Sequence, residues 1–98
     1  MITATDLTPY RIVVVAFYMK DCPACHEYIP RLQQIAARHP NIPTLILEAN
    51  QYGPYADQMR VSSVPVTFVL RKPNGAMKAE GAISNNQIEY LYGVAERA

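Results

Sequence analysis

Eight consecutive apolar residues, Ile12 to Met19, are followed after three intervening residues by a proline. The core of this run, Val13-Val14-Val15-Ala16-Phe17-Tyr18, is rich in β-branched and aromatic side chains. It has no polar–apolar alternation, so neither face of a strand built from it can meet water. A run of this kind predicts a strand covered on both faces, as in a parallel sheet with helices above and below. It is far too short for a membrane helix, which needs about twenty residues. After the loop Met19-Lys20-Asp21-Cys22, Pro23 suits the first position of a helix, where a missing N–H costs nothing. Cys25, Ile29, Leu32, Ile35 and Ala36 then recur at helical steps, one apolar stripe over about four turns. Pro30 falls within the stripe and is expected to kink it. His39 and Pro40 mark its end.

The remaining pattern is consistent with a layered α/β domain. Thr44–Glu48 and Val66–Leu70 read as short apolar strands, with a short helix expected from Pro54 to Arg60 between them. Pro73-Asn74-Gly75 is a turn signal, and Ala76 to Gly81 is expected to return as an antiparallel strand. Arg71 and Lys72 read as a solvated hairpin end. Ser84 followed by Gln87 forms a capping box, and Ile88, Leu91 and Ala95 give the last helix its apolar face. Thr5, Asp6 and Thr8 are candidate turn caps, and Pro9 stops any long first helix. The order β-α-β-(α)-β-β-α implies a right-handed crossover followed by an antiparallel edge. With 98 residues, half of them hydrophobic, the chain suits one domain spanning 1–98. A formal charge of +1, with 17% charged residues and no like-charge run, gives no sign of nucleic acid or an anionic membrane as partner.

The chemistry concentrates in Cys22-Pro23-Ala24-Cys25, the only cysteines of the chain. At the mouth of a helix, unpaired backbone N–H groups and the helix dipole favour a thiolate on the first sulfur. The second sulfur lies one turn in, within reach of a small-ring disulfide. Such a pair can attack a substrate disulfide through Cys22 and release the product through Cys25. Lys20 favours the thiolate and Asp21 opposes it.

These residues, taken with three others, resemble the thioredoxin family. Val-Ala-Phe-Tyr precedes the cysteine pair, and Pro30 follows it by five residues. Ser63-Val64-Pro65-Val66-Thr67-Phe68 resembles the family's cis-proline loop and next strand. Gly81-Ala82-Ile83-Ser84 resembles the glycine and cap before its last helix. The resemblance covers roughly residues 11–96. It implies a thioredoxin fold with a trimmed N-terminus: a mixed four-stranded sheet, order 2-1-3-4, flanked by helices. It also implies a cis Pro65 facing the cysteines, and a Val64 backbone free to pair with an extended substrate. Tyr18 is implied as a further substrate-binding residue, with Pro23 and Ala24 positioning the sulfurs.

Three departures stand out. The thioredoxin branch has Gly-Pro between its cysteines, a Trp before the first, and a buried Asp where Ala16 stands. This chain has Pro-Ala, Asp21 and no Trp. Without the carboxylate, the second thiol lacks its usual proton acceptor. Pro23 is closer to glutaredoxins, but their Thr-Val-Pro appears as Ser63-Val64-Pro65 and their double glycine only as Gly81-Ala82.

Other readings are weaker. Cys22-Pro23-Ala24-Cys25-His26 matches a c-type haem attachment pattern, with Met59 or Met77 as a second ligand, but it follows a buried strand in an α/β chain. Zinc would need His26 or His39 with both sulfurs, a set one helix cannot aim at a single ion. Tyr52, Tyr55, Tyr90 and Tyr92 read as half-buried packing. The expectation is therefore a monomeric thiol–disulfide oxidoreductase with no bound metal or organic cofactor. It would act on protein disulfides in the cytoplasm, with electrons from a thioredoxin reductase or glutathione. The alternatives are a glutathione-linked, glutaredoxin-like reductant and a non-catalytic interaction module of the same fold.

Overall fold

A computed structural model describes residues 11–72 and 75–98. The turn caps expected at Thr5, Asp6 and Thr8, the stop at Pro9, and the turn residues Pro73 and Asn74 lie outside the described residues. The chain order is β1 (Ile12–Tyr18), α1 (Pro23–Ala36), β2 (Thr44–Glu48), α2 (Gly53–Gln58), β3 (Val66–Arg71), β4 (Gly75–Glu80) and α3 (Asn85–Arg97). The four strands form one sheet in the order β2-β1-β3-β4. β1 runs parallel to β2 and antiparallel to β3, and β3 and β4 form the antiparallel hairpin. This is the thioredoxin fold expected from the sequence.

β1 occupies the middle of the sheet because it has no face that tolerates water. Val13 through Phe17 are all 3% exposed or less. Val14 and Ala16 point to one side, where they meet Tyr28, Leu32 and Ile35 of α1 and Ile88, Leu91 and Tyr92 of α3. Val13, Val15 and Phe17 point to the other, against Tyr55 and Ala56 of α2 with Val66 and Phe68 of β3. Each fully buried Val, Leu or Phe contributes roughly 1.5–3 kcal/mol of transfer free energy. This double burial is what the unbroken run of β-branched residues encodes.

The helix limits follow from local chemistry. α1 is one continuous helix through Pro30, and Pro23 stands in its first turn. Its buried face is Cys25, Tyr28, Leu32 and Ile35, with Ile29 and Ala36 only partly covered. The sequence stripe omitted Tyr28, although the steps 25, 28, 32 and 35 are helical. α3 starts with both bonds of the capping box. Gln87 N–H donates to Ser84 Oγ at 3.2 Å, and Ser84 N–H donates to the Gln87 side-chain oxygen at 2.9 Å.

α2 ends two residues short of the expected Arg60. Val61 N–H donates to the Ala56 carbonyl and Arg60 N–H to that of Asp57, while Arg60 takes φ 59°. That is a Schellman ending. Its left-handed residue is an arginine rather than the usual glycine, so no sequence signal announced the stop. The tyrosines divide more sharply than expected. Tyr55 and Tyr92 are buried, Tyr52 is half-buried, and Tyr90 stands 59% exposed. Among the described residues, no helix is long and apolar enough to cross a membrane.

Candidate redox site

The site sits where β1 gives way to α1. Cys22 is the N-cap of that helix, with extended backbone (φ −108°, ψ 105°), and its sulfur accepts the Cys25 N–H at 3.1 Å. A sulfur in this place meets one of the four backbone donors that a helix start leaves unpaired. The same contact, together with the helix dipole, favours negative charge on Cys22 when the pair is reduced. Cys25 lies one turn in and is 1% exposed, while Cys22 is half-exposed. The two are disulfide-bonded, with 5.2 Å between Cα atoms. Pro23 and Ala24, between them, are exposed.

The loop before β3 faces Cys22. The Val64–Pro65 peptide bond is cis, and the Val64 carbonyl oxygen lies 3.8 Å from Cys22 Sγ. Pro65 is buried and its carbonyl accepts Gly81 N–H at 2.8 Å. Gly81 adopts φ +90°, a conformation L side chains rarely take, which accounts for glycine at this junction. The Val64 N–H has no partner among the described residues, and its side chain is half-buried. Cys22, Val64 and Pro65 are thus brought together as the sequence implied.

Tyr18 is not part of that group. It closes β1 and lines a cleft of about 330 Å³ with Met19, Lys20, Cys25, His26, Ile29 and Pro30. Val64 and Pro65 do not line it. The sequence reading missed this cleft, because no motif marks Met19 or Ile29. His26 is exposed, and its Nε2 hydrogen-bonds the Lys20 carbonyl oxygen. That contact ties the loop before Cys22 to the first turn of α1.

Beneath the site, Ala16 is fully buried and stands in register with Thr67 of β3. Thr67 is itself fully buried, and its Oγ1 is 2.7 Å from the Tyr28 hydroxyl. Burial raises the Tyr28 phenol above its ordinary range, so it stays protonated beside its partner. The local polar group is therefore a neutral hydroxyl pair rather than a carboxylate. Among the described residues no three histidine, cysteine or carboxylate side chains gather as a metal site would need. His39 lies past the C-terminal end of α1, bonded to Glu89 and Glu96 of α3. Met59 and Met77 pack on opposite faces of the sheet, and neither lines the cleft beside His26.

A sequence profile of the thioredoxin family matches residues 5–92. The chain belongs to the thioredoxin family. Its fold is similar to that of Fasciola hepatica thioredoxin, at TM-score 0.82 and 18% identity, over 94% of this chain and 93% of that one. It is also similar to the reduced Schistosoma mansoni thioredoxin pre-protein, at TM-score 0.84 and 16% identity, over 94% and 88% of the two chains. Oxidised mitochondrial thioredoxin 3 of Saccharomyces cerevisiae superposes at TM-score 0.73 and 18% identity, over 94% and 90%. No curated protein sequence matches significantly. At these identities the structural likeness speaks for the fold, and the family assignment rests on the sequence profile. As a thioredoxin-family chain it carries its two cysteines at disulfide distance, at the start of α1.

Proposed function

We propose that this protein is a thiol–disulfide oxidoreductase that reduces protein disulfides with the Cys22–Cys25 pair. In the reduced protein the Cys22 thiolate attacks one sulfur of a substrate disulfide. The substrate S–S bond breaks, one substrate sulfur leaves as a thiolate, and Cys22 is held in a mixed disulfide. Cys25 then loses its proton and attacks the Cys22 sulfur. The second substrate sulfur leaves, and the Cys22–Cys25 disulfide remains. Two electrons pass from the protein to the substrate. A reductase or glutathione then restores the dithiol, so no bound cofactor is needed.

The observation that carries this reading is the N-cap position of Cys22, with the Cys25 N–H 3.1 Å from its sulfur. That donor lowers the cost of a thiolate on the half-exposed cysteine and not on the buried one, which supports attack by Cys22 and resolution by Cys25. The unpaired Val64 N–H beside it supports docking of an extended substrate segment by strand-like pairing. Pro23 and Ala24, exposed around the sulfur, leave that approach open. Tyr18, which lines the cleft beside Cys25, is proposed as a further substrate contact. The cytoplasm, where such a pair works as a reductant, is the proposed setting.

Insulin reduction followed by turbidity tests the assignment. Cys22→Ser is expected to abolish activity. Cys25→Ser is expected to retain the first attack and accumulate a mixed disulfide visible by mass spectrometry. Activity surviving in Cys22→Ser would refute the assignment of roles.

A further inference from the structure

Resolution needs a thiolate on Cys25, and the site opposes one. The sulfur belongs to a residue 1% exposed, and burial disfavours the charged form of a thiol. The helix-start donor is spent on Cys22. Beneath the pair, Ala16 offers no acceptor, and the Tyr28–Thr67 hydroxyls are paired with each other. The nearby carboxylates do not line the cleft beside Cys25: Asp21 lines a separate pocket with Glu48, Asn50 and Gln51. Glu27 is ion-paired with Arg31, and buried Glu48 accepts the Gln51 N–H on the far side of Lys20.

Cys25 lines a cleft together with Tyr18, Lys20 and His26. Those three are the titratable groups that face it: two from the end of β1 and its loop, one from α1. Of the three, an amine side chain with only donors has no acceptor to offer and a phenol is a poor one, whereas an imidazole that donates through one nitrogen keeps a lone pair on the other. The structure also fixes which nitrogen that is. His26 Nε2 faces the Lys20 carbonyl oxygen, which can only accept, so Nε2 holds the hydrogen and Nδ1 is the base.

We propose that His26 takes the Cys25 proton during resolution, through the cleft that both residues line. The assignment rests on the dithiol reading above and adds a step to it. Nδ1 receives the proton, directly or through one water. Cys25 sulfur bonds to Cys22 sulfur, and the Cys22–substrate bond breaks. The departing thiolate is protonated from solvent or from the imidazolium, which restores the neutral ring. Lys20 takes part through its carbonyl, which orients the imidazole.

A symmetrical aromatic disulfide with a coloured thiolate separates the two attacks in a stopped-flow experiment. The first attack releases one thiolate and the second releases another. In the full-length His26→Gln variant the amide can still donate to the Lys20 carbonyl, but the base is gone. The first release is expected to be unchanged. The second is expected to slow about 100-fold at neutral pH, the low end of general-base effects, and to rejoin the wild type in alkali, where Cys25 ionises unaided. A second release within about threefold of wild type at neutral pH would overturn the assignment. So would a variant equally slow at every pH, or one slowed in both releases, since either outcome marks a structural role. Failure of the wild type to give a first release would instead sink the dithiol reading, and this step with it.

Discussion

α1 has two ends, and they are built in opposite ways. Its N-terminal end carries the cysteines, the cis-proline loop and the cleft, with few side-chain hydrogen bonds and a half-exposed sulfur. Its C-terminal end, about 20 Å away at 1.5 Å per residue, is stapled to α3. His39 stacks on Tyr92 with 4.7 Å between ring centroids and bonds both Glu96 and Glu89. Arg38 adds a further ion pair to Glu89, and Tyr92 reaches Thr44 of β2 at 2.5 Å. One end keeps polar groups unpaired so that a substrate can pair with them. The other pairs its own. Between them, Tyr28, Leu32 and Ile35 fasten the helix to the sheet, so the reactive end need not supply the rigidity it uses. Arg31 helps from the flank, donating to the Ile83 carbonyl at 2.9 Å and to Asn85 Oδ1 at 2.8 Å.

If the two ends are separable, substitutions should sort by readout. Leu32→Ala removes a fully buried side chain midway along α1 and is expected to cost about 2–5 kcal/mol in denaturant unfolding. Reactivity of Cys22 in the fraction still folded should stay at the wild-type rate. A large loss of reactivity in folded protein would break the separation.

Tyr28→Phe strands the Thr67 hydroxyl among apolar side chains and should cost about 1–3 kcal/mol. Adding Thr67→Val should recover much of it, because a pair removed together leaves no orphan. No recovery in that double variant would mean the hydroxyl pair has another role, nearer the cysteines.

The smallest effect belongs to the far end. His39 is raised above its ordinary value by hydrogen bonds to Glu96 and then Glu89. Its stabilisation is complete below the ordinary histidine range and is lost as pH rises through the raised folded value. Glu89 is held low by His39 and Arg38, so its share is complete above the ordinary carboxylate range and is lost as pH falls through that lowered value. The staple is therefore strongest in weak acid. Thermal melts at about pH 5.5 and about pH 9 should show the wild type losing more stability into alkali than His39→Gln does. Insulin reduction by the variant should be unchanged.

What was legible in the sequence was whatever a local pattern controls. The run from Ile12 fixed a doubly covered strand, Pro23 fixed a helix start, and Ser84 with Gln87 fixed another. The cysteine spacing located the redox pair, because a helix start with sulfur at both ends of its first turn has a chemical reason. Contacts that depend on tertiary placement were not legible. Tyr28 was left out of the helix stripe, because its hydroxyl partner Thr67 comes from β3, opposite Ala16. Tyr18 lines a cleft with Cys25 and His26 that no local pattern in the sequence foretold. His26 read as an exposed residue after the redox pair, and it is exposed, but nothing local shows that its ring meets the Lys20 carbonyl.

The central claim is that Cys22 and Cys25 form a reversible two-electron couple that works as a reductant. Equilibrating the protein in glutathione redox buffers, with the oxidised fraction read by thiol trapping, tests it directly. The account predicts one reversible couple at or below about −230 mV, within the range of thioredoxins and glutaredoxins. A couple above about −180 mV would mean that the protein forms or reshuffles disulfides, and the absence of any couple would contradict the redox assignment altogether.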